Sequence, residues 1–127
     1  METHQGSCLC GSVRYTTQGP LRGVSVCHCS QCRKQSGHVY ATVSVSEEAL
    51  SVEGASNLTW FRSSENAKRG FCRVCGSALF WKHDDENQVS ILAGSLEGAT
   101  GLSISRHIYC ADKGDYYEID DDKPQVP

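Results

Sequence analysis

No stretch of this 127-residue chain approaches the roughly 18 consecutive apolar residues that a membrane-spanning helix needs. No basic block is present either: 12 lysines and arginines are scattered against 15 acidic residues, for a net charge of −3. That balance argues against general binding to nucleic acid or to an anionic membrane surface. Only 3 prolines occur, and neither a linker nor a low-complexity tract interrupts the chain. The expectation is a single domain over residues 1–127 with a modest core. The opening METHQGS lacks the basic-then-apolar layout of an export signal, so a reducing, cytoplasmic setting is expected.

Against these absences stands one excess, 8 cysteines. In a small secreted protein that number would suggest four disulfides, with about 105 possible pairings. In a reducing compartment such clusters more often bind metal. Seven of the eight fall into three groups: Cys8 and Cys10, then Cys27, Cys29 and Cys32, then Cys72 and Cys75.

The order between these groups is short and β-like. Residues 12–17, 38–45, 58–62, 78–83, 89–93 and 102–109 carry the alternation, or the branched and aromatic content, of strands. In the second of these, Val39, Ala41, Val43 and Val45 share one face. Residues 84–87 (DDEN) predict a hairpin loop. Helix is expected only over residues 30–36, with Ser30 as N-cap and Gly37 as stop, and as one turn near residues 46–50. The acidic tail near residues 120–124 predicts a solvated terminus. The fold class is therefore mainly β with one or two short helical turns, small enough to benefit from a metal staple.

Two of the cysteine groups resemble each other. Cys10 and Cys75 are each followed by Gly-Ser and then an apparent strand with an aromatic residue five positions on. Glycine at that point permits the backbone angles of a tight knuckle, and it lets backbone N–H groups turn towards the sulfurs. Two such knuckles make a natural four-thiolate zinc site from Cys8, Cys10, Cys72 and Cys75, closed and structural. Cys27, Cys29 and Cys32 are then left as three ligands, the number that catalytic zinc uses with one position open. The open position would take water or substrate. Alternatively Cys110, His28, His38 or His107 closes it, or the cysteines divide differently between two metals.

The three motifs CLCGSVRY, CHCSQCRK with Ser36-Gly37, and RGFC-RV-CGS resemble the glutathione-dependent formaldehyde-activating enzyme family. Gly94-Ser95-Leu96 and His107-Ile108-Tyr109 extend the likeness, which covers about residues 5–120. The resemblance implies a tent-like, β-rich zinc fold with two zinc ions per chain. It puts the structural zinc on Cys8, Cys10, Cys72 and Cys75 and a second zinc on Cys27, Cys29 and Cys32. The namesake activity joins formaldehyde to glutathione as S-hydroxymethylglutathione, a carbon–sulfur lyase reaction run in either direction.

The expected partner is thus a small thiol or its aldehyde adduct. A zinc at the second site would hold a thiol as thiolate or polarise an aldehyde oxygen. His28 and His107 are candidate proton carriers there. Arg33, Lys34 and Arg69 are candidates to steer an anionic thiol, and Ser95 to rim its pocket. The alternatives are a non-catalytic zinc-stabilised binding module and a thiol redox enzyme using Cys110.

Overall fold

A computed structural model describes residues 2–127. A three-stranded antiparallel sheet is formed by β1 (Thr3–Ser7), β2 (Arg14–Gln18) and β5 (Leu50–Glu53), in the order β1-β2-β5. A seven-stranded sheet contains β3 (Val24–Cys27), β4 (Tyr40–Ser46), β6 (Leu58–Arg62), β7 (Ala67–Cys72), β8 (Ala78–His83), β9 (Gln88–Leu92) and β10 (Ile104–Ile108). Its order is β10-β3-β4-β9-β8-β7-β6, and the pairing of β10 with β3 is parallel while the rest are antiparallel. One helix, α1 (Ser30–Ser36), leads from β3 towards β4. The mainly β class read from the sequence is what the chain adopts, and none of its described helices is long and apolar enough to cross a membrane.

The seven-stranded sheet sends alternate residues to two different surroundings. Along β4, Val43 and Val45 are buried in the apolar core, with Val39 and Ala41 packed against it. Between them Tyr40, Thr42 and Ser44 line a polar cavity. In β9, Val89 and Ile91 enter the core while Ser90 lines the cavity, and β3 divides Val24 and Val26 from Ser25 and Cys27 in the same way.

Tyr15 of β2 joins the two sheets by meeting Phe80 of β8 edge to face, with ring centroids 5.5 Å apart. The Tyr15 hydroxyl lies 2.6 Å from Ser95 Oγ, directly beneath Gly6, where any Cβ would collide with it. The smallness of Gly6 is therefore what lets β1 close over this tyrosine.

Several boundaries depart from the sequence reading. Helix α1 spans residues 30–36 as expected and stops at the left-handed Gly37, with φ 90°. Its N-cap is Cys29, however, whose sulfur accepts from the Cys32 N–H, and Ser30 is the first helical residue. The turn near residues 46–50 is a 3-10 turn at Glu47–Ala49 that the Ser46 hydroxyl caps. The strands β1, β3, β5 and β7 had no forecast.

The acidic tail is solvated as expected, with residues 120–127 exposed, and it is also fastened. Pro124 and Val126 exchange backbone hydrogen bonds with His107, and Cys110 N–H donates to Val126. Its residues still have solvent on their outer side, which is why the composition reads as solvated.

Candidate metal centres

The first cluster is built by two turns of matching design. Gly11 and Gly76 both take positive φ, 80° and 82°, which reverses the chain just after Cys10 and Cys75. Ser12 Oγ then lies 3.2 Å from Cys10 Sγ, and Ser77 Oγ lies 3.2 Å from Cys75 Sγ. Backbone N–H groups complete the pattern: Val13 donates to Cys8 Sγ, and Val74 and Cys75 donate to Cys72 Sγ. Donors aimed at a sulfur stabilise its thiolate. The Ser77 hydroxyl accordingly holds Cys75 down at about 5, and that of Ser12 pulls Cys10 below the usual thiol range.

The sulfurs of Cys8, Cys10, Cys72 and Cys75 lie within 4.8 Å of one another. Cys10 Sγ is 3.7 Å from Cys8 Sγ and 3.8 Å from Cys72 Sγ. A zinc tetrahedron with metal–sulfur bonds of about 2.3 Å has sulfur–sulfur edges of about 3.8 Å. All eight cysteines are free thiols, so the spacing is that of metal ligands and not of a disulfide, which needs about 2 Å. The donor set fits zinc.

The sulfurs of Cys27, Cys29 and Cys32 likewise lie within 4.8 Å of one another. Cys27 ends β3, Cys29 caps α1, and Cys32 sits in the first turn of α1 with 4% exposure. All three line the polar cavity, whose volume is about 610 Å³. Around them stand Tyr40 and Arg69, with Arg106, Trp81, Tyr109, Asp112 and Glu86 further along the walls. Within the trio the Cys27 thiol, assisted by the Arg69 guanidinium and opposed by burial, holds Cys32 down at about 6. The same pairing, with burial, pushes Cys27 up. Three soft ligands beside a cavity suit a zinc with a position open to solutes.

The remaining sequence candidates separate from this site to different degrees. Arg69 is 3% exposed, and both its Nη atoms lie 3.6 Å from Cys32 Sγ. It therefore faces the Cys32 sulfur, beneath the surface. Arg33 donates to the Asp112 carbonyl at 3.2 Å, and Lys34 is exposed; neither lines the cavity. Ser95 is also outside the lining, held by Tyr15 and by the Leu92 carbonyl. Cys110 belongs to neither cluster and opens a 3-10 turn after β10.

His28 and His107 sit outside the cavity lining as well, as the two buried members of a chain of four groups that runs out to the surface at Asp121. Tyr117 Oη is 2.5 Å from His28 Nδ1, His28 Nε2 is 2.9 Å from His107 Nδ1, and His107 Nε2 is 2.9 Å from Asp121 Oδ2. One proton arrangement satisfies every contact: the tyrosine donates to His28, His28 to His107, and His107 to the carboxylate. Burial, reinforced by His107, pulls His28 below the ordinary histidine value and keeps it neutral. These contacts tie Tyr117 to His28 and Asp121 to His107.

Sequence reasoning missed Tyr40, Trp81, Arg106, Tyr117 and Asp121. For Tyr40 a signal existed: it alternates with the core valines of β4, as do Thr42 and Ser44.

The class defined at this level is a mainly β domain that gathers seven cysteine sulfurs into two clusters, each able to hold a metal ion. More specifically, the family profile of the glutathione-dependent formaldehyde-activating enzyme matches residues 3–112, and the chain belongs to that family. A curated relative from Schizosaccharomyces pombe, named as an uncharacterized lyase, is 27% identical over 120 residues, 94% of this chain and 87% of the relative. The crystal structure of a Rhodobacter sphaeroides protein aligns with a TM-score of 0.63 and 30% identity, over 75% of this chain and 89% of that one.

Proposed function

We propose that the protein is a zinc-dependent carbon–sulfur lyase that makes or breaks the adduct of a small aldehyde with a glutathione-like thiol, such as S-hydroxymethylglutathione. The observation that carries this reading is the trio Cys27, Cys29 and Cys32, three ligands opening onto a cavity of about 610 Å³. Cys8, Cys10, Cys72 and Cys75 would hold a second, structural zinc.

Zinc bound by the trio would supply a Lewis-acidic position that favours thiolate over thiol near neutral pH. In synthesis the thiol sulfur attacks the aldehyde carbon, a carbon–sulfur bond forms, and the proton lost by sulfur ends on the former carbonyl oxygen. Cleavage reverses these steps, and nothing is oxidised or reduced.

The chain's own groups bind and orient. Tyr40 is 2% exposed and its hydroxyl has no partner in the protein. Burial pushes that hydroxyl up to about 12, so it stays protonated, an unspent donor behind the cavity wall. Arg106 from β10 and Glu86 from the β8–β9 turn, with Arg69 and Asp112, give the cavity two residues of each charge sign. A γ-glutamyl thiol carries both carboxylate and ammonium groups to meet them.

NMR exchange spectroscopy of formaldehyde, glutathione and protein tests the assignment. The wild type should speed exchange between free formaldehyde and its adduct, and Cys27→Ser should lose the effect. No acceleration by zinc-loaded wild type would overturn glutathione as the thiol.

A further inference from the structure

Among the described residues two cations are buried, Lys82 and Arg69. Lys82 has an ordinary solution: Glu47 lies 3.3 Å away, and two backbone carbonyls accept from its ammonium group. Arg69 has no carboxylate within ion-pair distance. Its Nη atoms both point at Cys32 Sγ, its guanidinium lies 4.8 Å from the centre of the Tyr40 ring, and its Nε has no partner. A desolvated guanidinium needs a counter-charge, and the sulfur trio is the group positioned to provide it.

We infer that Arg69 is a positioning residue that acts through Cys32, and that its charge makes the trio select an anionic sulfur over a neutral oxygen or nitrogen as the additional ligand of its metal. The inference rests on the reading of the trio as an open zinc site and decides which partner of the adduct meets the metal. A dication on three thiolates is singly negative, and a fourth thiolate makes it doubly negative. In the four-cysteine cluster the sulfurs meet backbone N–H donors and neighbouring serine hydroxyls, all of them uncharged. Cys32 has a fixed full positive charge in contact instead. A nearby cation stabilises an incoming anion and does little for a neutral ligand. A thiol entering as thiolate gives its proton to solvent, with no electron transfer.

The test uses protein loaded with cobalt(II), whose sulfur-to-cobalt absorption reports the ligand set, titrated with 2-mercaptoethanol as the anionic probe and imidazole as the neutral one. Arg69→Gln should weaken thiolate uptake by about tenfold or more while leaving imidazole uptake unchanged, and Arg69→Lys should recover most of the loss. The four-cysteine cluster in the same molecule is the internal control for folding. Thiolate uptake equal in Arg69→Gln and wild type, or equal loss of both probes, overturns the inference. Should the glutamine variant not fold, the wild type decides: imidazole displacing the thiolate at matched free concentrations overturns it equally.

Thiolate uptake that ignores Arg69 sinks this inference alone. Its absence from wild type sinks the proposed function too. Arg69-dependent uptake without formaldehyde exchange sinks only the proposed function.

Discussion

Four sulfurs in one cluster and three in the other are the same donor atoms in opposite surroundings. In the first, the Ser12 and Ser77 hydroxyls lie 3.2 Å from Cys10 and Cys75 and backbone N–H groups donate to Cys72, all presented by two similar turns. Residues 8–13 and 72–77 are thereby drawn together across nearly sixty residues of chain, and all four sulfurs lie within 4.8 Å of one another. In the second, one buried guanidinium faces Cys32 and a cavity faces all three sulfurs. Many weak fixed donors suit a closed site whose work is holding the chain together. A single strong charge beside empty space suits a site whose ligand set changes.

Substitution should separate the two. Cys72→Ser, at a fully buried ligand, should have the largest effect, since a structural metal's binding energy is folding energy. Loss of the cooperative thermal transition followed by circular dichroism is expected, and a transition within a few degrees of wild type would deny the cluster its role as a staple. Cys29→Ser is the counterpart. Serine is itself a good N-cap, so α1 keeps its cap while the trio loses a ligand. Metal analysis should fall from two ions per chain to one, with stability changed by less than about 1 kcal/mol.

Smaller changes sharpen the contrast. At Gly76 an added Cβ meets nothing within 4 Å, so Gly76→Ala should cost only the left-handed backbone penalty, about 1–2 kcal/mol in denaturant titration. Gly94→Ala, with equally open space and no positive φ, is the control and should be near neutral. Asp121→Asn should have the least effect. Amide exchange of Val126 and Cys110 should quicken by less than about tenfold, with both metals retained. His107 holds the Asp121 carboxyl below its ordinary value. The fastening is therefore complete above that ordinary value and is lost as pH falls through the depressed one. Faster exchange should appear in that acid range in wild type.

What the sequence made legible follows from the reach of each interaction. The span of α1, the strand β8 and the form of each Cys-Gly-Ser turn depend on neighbours a few residues apart, and they read correctly. The strand β7, AKRGFC, did not, because one of its faces looks into a polar cavity and its buried arginine looks like a surface charge. The strand β1, THQGS, has no apolar alternation at all; it is held by pairing with β2 and by the fit of Gly6 on Tyr15. Asp121 is one aspartate in an acidic run, singled out only by His107, 14 residues earlier in sequence. Such partners are invisible until the chain is folded.

The alternation along β4, β9 and β3 also bears on how such a protein can change over time. Thr42, Ser44, Ser90 and Ser25 face the cavity, and their immediate neighbours in sequence supply the core. A substitution at any of the four reshapes what the cavity accepts while the valines and isoleucine beside it go on packing as before. New preferences can therefore accumulate one residue at a time on a scaffold whose stability is set from the other face. That separability makes the cavity wall, and not the cysteine clusters, the place where a change disturbs the fold least.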